Sequence, residues 1–288
     1  MKTIGVIGLG SIGLRHAKNL IAMGHKVIGY DPDPSAQHEL LIAGGELSEA
    51  IYPCGMGVEA VVIASPTSEH YNNIYQCLSR NFPAIFVEKP FIHSKHNISE
   101  AENWLALARK RGQVVMTGHN LRFHPLVIKA KRWMFKCHEP TRAKFVVAQR
   151  STKPAYFRDG VTLNWAIHEI DLALYLLGPA KVTAAHGTNI VINATLEHDN
   201  GCITTIYADY ITDPEVREFH IGSDDSGFKA NLVSPAETWD EVYKREMEWF
   251  LDSIDKDTVS GTPYYGASGY EGLEAVKIAL DIQKLAGL

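Results

Sequence analysis

The chain has 288 residues, 45% hydrophobic and 21% charged, with a formal net charge of -5. That is apolar material for a substantial core and length for two domains. Mild acidity with no dense Lys/Arg block argues against nucleic acid or a membrane surface as partner and leaves a small soluble ligand.

In chain order, Thr3–Ile7 is a β-branched apolar run and Ile12–Met23 has helical spacing ending at Gly24, which predicts strand, turn and helix. Lys26–Tyr30 predicts a second strand, stopped by Asp31 and Pro32. Val58–Ala64 is nearly all apolar, as strands buried on both faces are, and Ala84–Val87 and Val114–Thr117 repeat the pattern. Between those two, Ser99 and Glu102 stand at capping-box spacing before a helix closing on Arg109, Lys110, Arg111 and Gly112. Such alternation predicts a doubly wound parallel sheet. Past Gly118 the rhythm changes to helix Pro125–Lys136, strand Arg142–Gln149 and helix Asn164–Leu177. Strands then follow at Val182–His186, Val191–Glu197, Cys202–Tyr210, Glu215–Ile221 and Gly227–Val233, a mainly antiparallel open sheet backed by helices. Helices Thr238–Ile254 and Ser268–Ala286 close the pattern. The fold class is α/β, with domains expected at 1–120 and 121–288 and the last helix able to pack back on the first domain. Cys54, Cys77, Cys137 and Cys202 form no C-x-x-C pair, so reduced structural thiols are expected. The opening MKTIGVIGLG is broken too early by glycine for a signal peptide, and no stretch has the apolar length of a membrane span, so the expected location is the cytoplasm.

The stretch VIGLGSIGLRH carries Gly8, Gly10 and Gly13 in G-x-G-x-x-G spacing, with Ser11 and Ile12 between them. It follows a predicted strand and opens a predicted helix, and Asp31 ends the next strand about 20 residues on. In that setting Gly8 permits a tight turn, Gly10 a close approach of backbone to a pyrophosphate, and Gly13 close helix packing, while the helix N-terminus offers N-H groups to phosphate. Asp31 suits a ribose 2'-hydroxyl and repels a 2'-phosphate, which favours NAD, with NADP the alternative. Glycines that serve only the turn are the competing reading.

GLGSIGLRH, ASPTSEHY (64–71), VEKPF (87–91), GHNLRFHP (118–125) and NWAIHEIDLALYLLG (164–178), in this order, resemble the Gfo/Idh/MocA oxidoreductases across nearly the whole chain. The resemblance implies an N-terminal Rossmann domain, a C-terminal α/β domain whose open sheet often makes the oligomer interface, and a nicotinamide cofactor. It assigns Lys89 and His168 to catalysis, with Asn164 where the family usually has Asp, and suggests a cis bond before Pro90. Asn cannot exchange a proton as Asp does, but its carbonyl can orient an imidazole. Asn164, His168 and Asp171 would share one helix face. Ser65, Pro66, Thr67, His70, Glu88 and Lys89 are implied cofactor contacts. Lys89, Asn120, Arg122, Tyr156, Arg158, Asn164 and His168 are substrate candidates, with Arg158 beside Asp159 able to clamp an anionic group or form a structural ion pair. His93 and His96 lack further ligands at metal spacing, so no metal is expected.

The expected activity is an NAD(P)-dependent oxidoreductase moving hydride to or from a hydroxyl or ketone carbon of a sugar, cyclitol or nucleotide sugar, as a homodimer or homotetramer. A redox-neutral NAD-dependent glycoside-cleaving enzyme and a catalytically impaired scaffold or sensor are the rivals.

Overall fold

The computed structural model describes residues 1–93, 96–136, 140–151, 159–222, 227–255 and 266–288. They form two compact units: Met1–Asn120 with Asp240–Leu273, and Leu121–Trp239 with Glu274–Leu288. Residues 240–273 thus join the first unit instead of extending the second.

In the first unit, strands β1 (Thr3–Ile7), β2 (Lys26–Tyr30), β3 (Glu46–Leu47), β4 (Ala60–Ile63), β5 (Ala84–Glu88) and β6 (Val114–Gly118) line up in the order β6-β5-β4-β1-β2-β3, all parallel. A two-residue strand, Ala267–Ser268, pairs antiparallel with β6 at the edge. This is the doubly wound dinucleotide-binding order, whose switch point lies between β1 and β4. The first strands are buried almost throughout because helices cover both faces. Those helices are α1 (Ser11–Ala22), α2 (Pro34–Ile42), α3 (Thr67–Ser79) and α4 (Ile98–Lys110). α4 starts earlier than the Ser99 capping box implies: Asn97 is its cap and accepts from the Glu100 N-H, because Asn97 already sits in extended backbone one residue before the helix. Met247, Phe250 and Leu251 lie in the same core cluster as Ile4, Val6, Val62 and Phe86. Phe250 meets Phe86 at 5.5 Å between ring centroids.

The second unit opens with α5 (Pro125–Met134), started by Pro125 and capped by His124, whose ring accepts from the Leu126 N-H. Its sheet runs Gly227–Asn231, Val216–Gly222, Arg142–Ala148, Ile203–Asp209, Val191–His198 and Ala180–Gly187 in spatial order. One neighbouring pair, Arg142–Ala148 with Ile203–Asp209, is parallel and the others are antiparallel. Val191–His198 alternates half-buried and buried residues, the period of a sheet with one covered face. The helix expected from Asn164 is a π turn over Thr162–Ala166 that runs into α6 (Ile167–Leu177). Asn164 therefore sits in backbone of wider turn than α6, which removes the simple one-turn spacing to His168 expected from an unbroken α-helix. No helix of the described residues is long and apolar enough to cross a membrane.

Candidate functional site

The carboxyl ends of β1, β2, β4 and β5 bring the first unit's candidates together. Gly8 has φ +90, and its N-H donates to the Tyr30 carbonyl at 2.9 Å, tying the β1 turn to β2. A Cβ at Gly8 would lie 2.6 Å from the Ser65 nitrogen, and one at Gly13 would lie 1.9 Å from the Gly8 carbonyl oxygen. A Cβ at Gly10, by contrast, would meet nothing within 4 Å. The middle glycine leaves a cradle; the outer two are required by the turn itself. Gly10 caps α1 without a side-chain hydrogen bond, and the first turn, which begins with Ser11 and Ile12, contains no acidic residue. Uncapped N-H groups at the positive end of the helix dipole suit a phosphate.

Asp31 is fixed beside this cradle. Its Oδ2 accepts from the Leu9 N-H at 2.6 Å and its Oδ1 from the Asp33 N-H at 2.8 Å. Each oxygen keeps a lone pair for a hydroxyl. Thus the structure fits a dinucleotide at both of its recognition points, the pyrophosphate and the adenosine ribose.

Beyond β4, Ser65 is held twice: its carbonyl lies 2.9 Å from His70 Nε2, and its hydroxyl accepts from Asn73 Nδ2 at 2.9 Å. Asn73 Oδ1 in turn accepts from the Tyr52 hydroxyl at 2.8 Å. Pro66, exposed, and Thr67, half-buried, form the start of α3. His70 is 1% exposed, and its other ring nitrogen, Nδ1, lies 2.8 Å from the Pro90 carbonyl. Its ring is directed at the loops and not at a ligand space.

Glu88 ends β5, and the Lys89-Pro90 bond after it is cis. Glu88 Oε1 takes a 2.7 Å hydrogen bond with His16 Nε2, and its Oε2 accepts from the Lys89 N-H at 3.2 Å. Burial works to raise the Glu88 pKa, but the His16 hydrogen bond and charge, with Lys89, hold it below the usual carboxylate value. Glu88 is thereby committed to the protein interior, a separate task from the cofactor contact expected of it. His16, Glu88 and Glu246 place three metal-ligating atoms within 4.8 Å of one another. His16 Nε2 and Glu88 Oε1 are already closed into a hydrogen bond with each other, and Phe86 and Tyr243 pack edge-on against the His16 ring. His93 and His96 have ring centroids 6.4 Å apart, and His96 stacks on Tyr71 at 4.3 Å.

In the second unit, Arg122, expected as a substrate contact, is buried in an ion pair. It is 1% exposed, and its Nε and Nη2 fork onto Asp171 at 2.9 and 2.6 Å while its guanidinium lies 4.6 Å from the Tyr175 ring centroid. A buried arginine is tolerated only with such a partner, and this claims Asp171 as well, removing it from the face expected to hold His168. His168 is 9% exposed near the start of α6, and Asn164 is half-buried in the π turn. Asn120 is 6% exposed, and its Oδ1 is a buried acceptor with no hydrogen bond among the described residues. Tyr156 and Arg158 lie outside the described residues, as does Cys137.

The model of an oxidoreductase family with an NAD-binding Rossmann fold, Gfo/Idh/MocA, matches residues 2–119. Over 200 residues the chain is 31% identical to a scyllo-inositol 2-dehydrogenase (NAD(+)) of Bacillus subtilis (strain 168), a match covering 65% of this chain and 57% of that protein. It is 25% identical to a UDP-N-acetylglucosamine 3-dehydrogenase of Acidithiobacillus ferrooxidans over 75% of this chain and 70% of that one. In fold it matches a myo-inositol dehydrogenase from Corynebacterium glutamicum with TM-score 0.84 at 20% identity, covering 100% of this chain and 97% of that one. Residues 2–119 thus match the Gfo/Idh/MocA oxidoreductase family model with its NAD-binding Rossmann fold, in agreement with the strand order and the glycine cradle found there.

Proposed function

We propose that the chain is an NAD(H)-dependent dehydrogenase or reductase acting on a secondary hydroxyl or ketone of a sugar, cyclitol or nucleotide sugar. The observation that carries this is the Gly10 cradle at the uncapped start of α1, beside an Asp31 anchored on the Leu9 N-H. The names of the relatives, inositol and UDP-sugar dehydrogenases, support the substrate class. Asp31 supports NAD over NADP, since its carboxylate would face the 2'-phosphate.

A bound nicotinamide accepts or supplies the hydride. Gly10, Ser11, Ile12 and the α1 N-terminus hold the diphosphate, and Asp31 the ribose; Ser65, Pro66 and Thr67 border the nicotinamide side. Lys89, at the carboxyl end of β5 where ligands bind in open parallel sheets, is assigned to the proton of the reacting hydroxyl. In the second unit His168 is a further candidate base and Asn164 an orienting acceptor; Asn120, which ends the first segment of the first unit and has an unsatisfied side-chain carbonyl, is a candidate substrate contact. A homodimer or homotetramer in the cytoplasm completes the reading.

Titration of the purified protein with NADH and with NADPH, followed by a panel of inososes, ketosugars and nucleotide ketosugars, tests it. Tight NADH binding and oxidation on adding one compound is the expected result, and Lys89→Met retains binding without turnover. Normal turnover by Lys89→Met removes the catalytic assignment; failure to bind either cofactor removes the whole reading.

A further inference from the structure

We infer that His70 is a positioning residue that clips the Ser65 loop to the Lys89-Pro90 loop, and that the clip closes fully only when its imidazole carries two protons. It rests on the reading that the chain binds NAD(H).

The argument starts from what the two partners can do. His70 Nε2 lies 2.9 Å from the Ser65 carbonyl and Nδ1 lies 2.8 Å from the Pro90 carbonyl. A carbonyl oxygen only accepts, and a neutral imidazole has one N-H, so a neutral ring satisfies one contact and sets a lone pair against oxygen at the other. Only the imidazolium donates to both. His124 and His198 show the alternative: each pairs one ring nitrogen with a hydroxyl, Ser234 and Thr204, and a hydroxyl accepts or donates as the ring requires.

Position gives the clip its use. His70 stands in the first turn of α3, and its two carbonyls belong to different strand ends, β4 and β5. Ser65 is pinned from the other side by Asn73, so its loop has little other freedom. Pro90 directly follows Lys89, and its carbonyl therefore sets where that segment leaves β5. One ring thus fixes the cofactor loop relative to the residue assigned to the proton.

The charged groups facing the ring are Glu88, which favours the imidazolium, and Lys89, which opposes it, both from the end of β5. The loop after β4 offers the Ser65 carbonyl and α3 offers the neutral Asn73. Burial is the largest influence and holds the pKa below the usual histidine value, while the two carbonyl bonds and Glu88 work against it. The second bond therefore forms on the acid side of about pH 6.5, the ordinary histidine value. A ligand that needs both loops in place takes up a proton as it binds, and its affinity rises as pH falls.

The test is NADH affinity by fluorescence from pH 8 to pH 5 for the wild type and His70→Gln, with the ring nitrogens of His70 followed by NMR in the wild type. The wild type is expected to bind more tightly toward acid pH. His70→Gln binds about three- to tenfold more weakly at the acid end, the worth of roughly one net hydrogen bond, with a flat profile. In the spectrum both ring nitrogens become protonated and protected from exchange as pH falls. A flat wild-type profile with unchanged affinity in His70→Gln overturns the inference and leaves the cofactor reading standing. No NADH binding at any pH overturns the cofactor reading, and a ring that stays a single neutral tautomer to pH 5 overturns the clip. If His70→Gln does not fold, the wild-type profile and spectrum decide.

Discussion

Breaking the Arg122–Asp171 pair should weaken the second unit far more than removing both partners together. The two side chains are each 2% exposed, and two nitrogens of Arg122 contact the carboxylate. Asp171→Ala removes from a buried guanidinium the carboxylate onto which its Nε and Nη2 fork. Removing one partner of a buried pair costs about 3–5 kcal/mol, whereas replacing both by apolar residues of similar volume is often neutral. With a urea slope of about 3 kcal/mol/M for a unit of this size, Asp171→Ala lowers the unfolding midpoint by about 1 M or more. Arg122→Met/Asp171→Leu recovers most of that loss. Urea titration followed by far-ultraviolet circular dichroism, with the double-mutant cycle computed from the midpoints, measures both. A midpoint for Asp171→Ala within about 0.2 M of wild type refutes the reasoning, because the pair would then be worth no more than an exposed one.

Three further outcomes follow from named contacts. Gly10→Ala leaves thermal stability nearly unchanged, because its Cβ meets no atom, yet weakens NADH at least tenfold, while Gly8→Ala is strained at φ +90 and loses stability itself; equal effects in both assays refute the cradle. Asp31→Ser lowers the ratio of NADPH to NADH dissociation constants at least tenfold, read from paired titrations, and an unchanged ratio removes Asp31 from cofactor choice. Burial, with Arg217 nearby, pushes the His124 pKa down to about 4, as its role as acceptor of the Leu126 N-H requires. The unfolded chain, at about 6.5, then holds more protons between these values, so this group's contribution is full above pH 6.5, falls as pH drops toward 4 and levels off below. His124→Asn, which keeps a capping acceptor, flattens that part of the stability profile measured by urea titration between pH 7 and 4.

How far the sequence carries depends on whether a feature is local. Thr3–Ile7 and Lys26–Tyr30 are strands over the residues their β-branched runs delimit, and the glycine spacing between them sufficed to locate the cradle. α3 was not legible as a helix, because part of its buried face is His70 and Asn73, polar residues that imitate a solvent face until their partners are known. α2 buries one residue, Leu40, and so lacks an apolar stripe. Arg122 read as a substrate residue because its partner stands 49 positions away. Glu88 read as a cofactor contact because nothing local announces His16, 72 positions before it. The π turn is a change of backbone winding, which no residue pattern around Asn164 marks.

The placement of Phe250 among Ile4, Val62 and Phe86 bears on how the chain is made. A ribosome delivers β1 to β6 with α1 to α4 first, but the part of the core that Met247, Phe250 and Leu251 complete stays open until roughly 130 more residues have followed, about 10 s at common elongation rates. Throughout that interval Phe86 faces water or a chaperone, so the nascent sheet is exposed to aggregation while the second unit is synthesised. Residues 1–120 expressed alone should remain in that state permanently, and residues 240–255 supplied as a separate peptide are the piece that would end it.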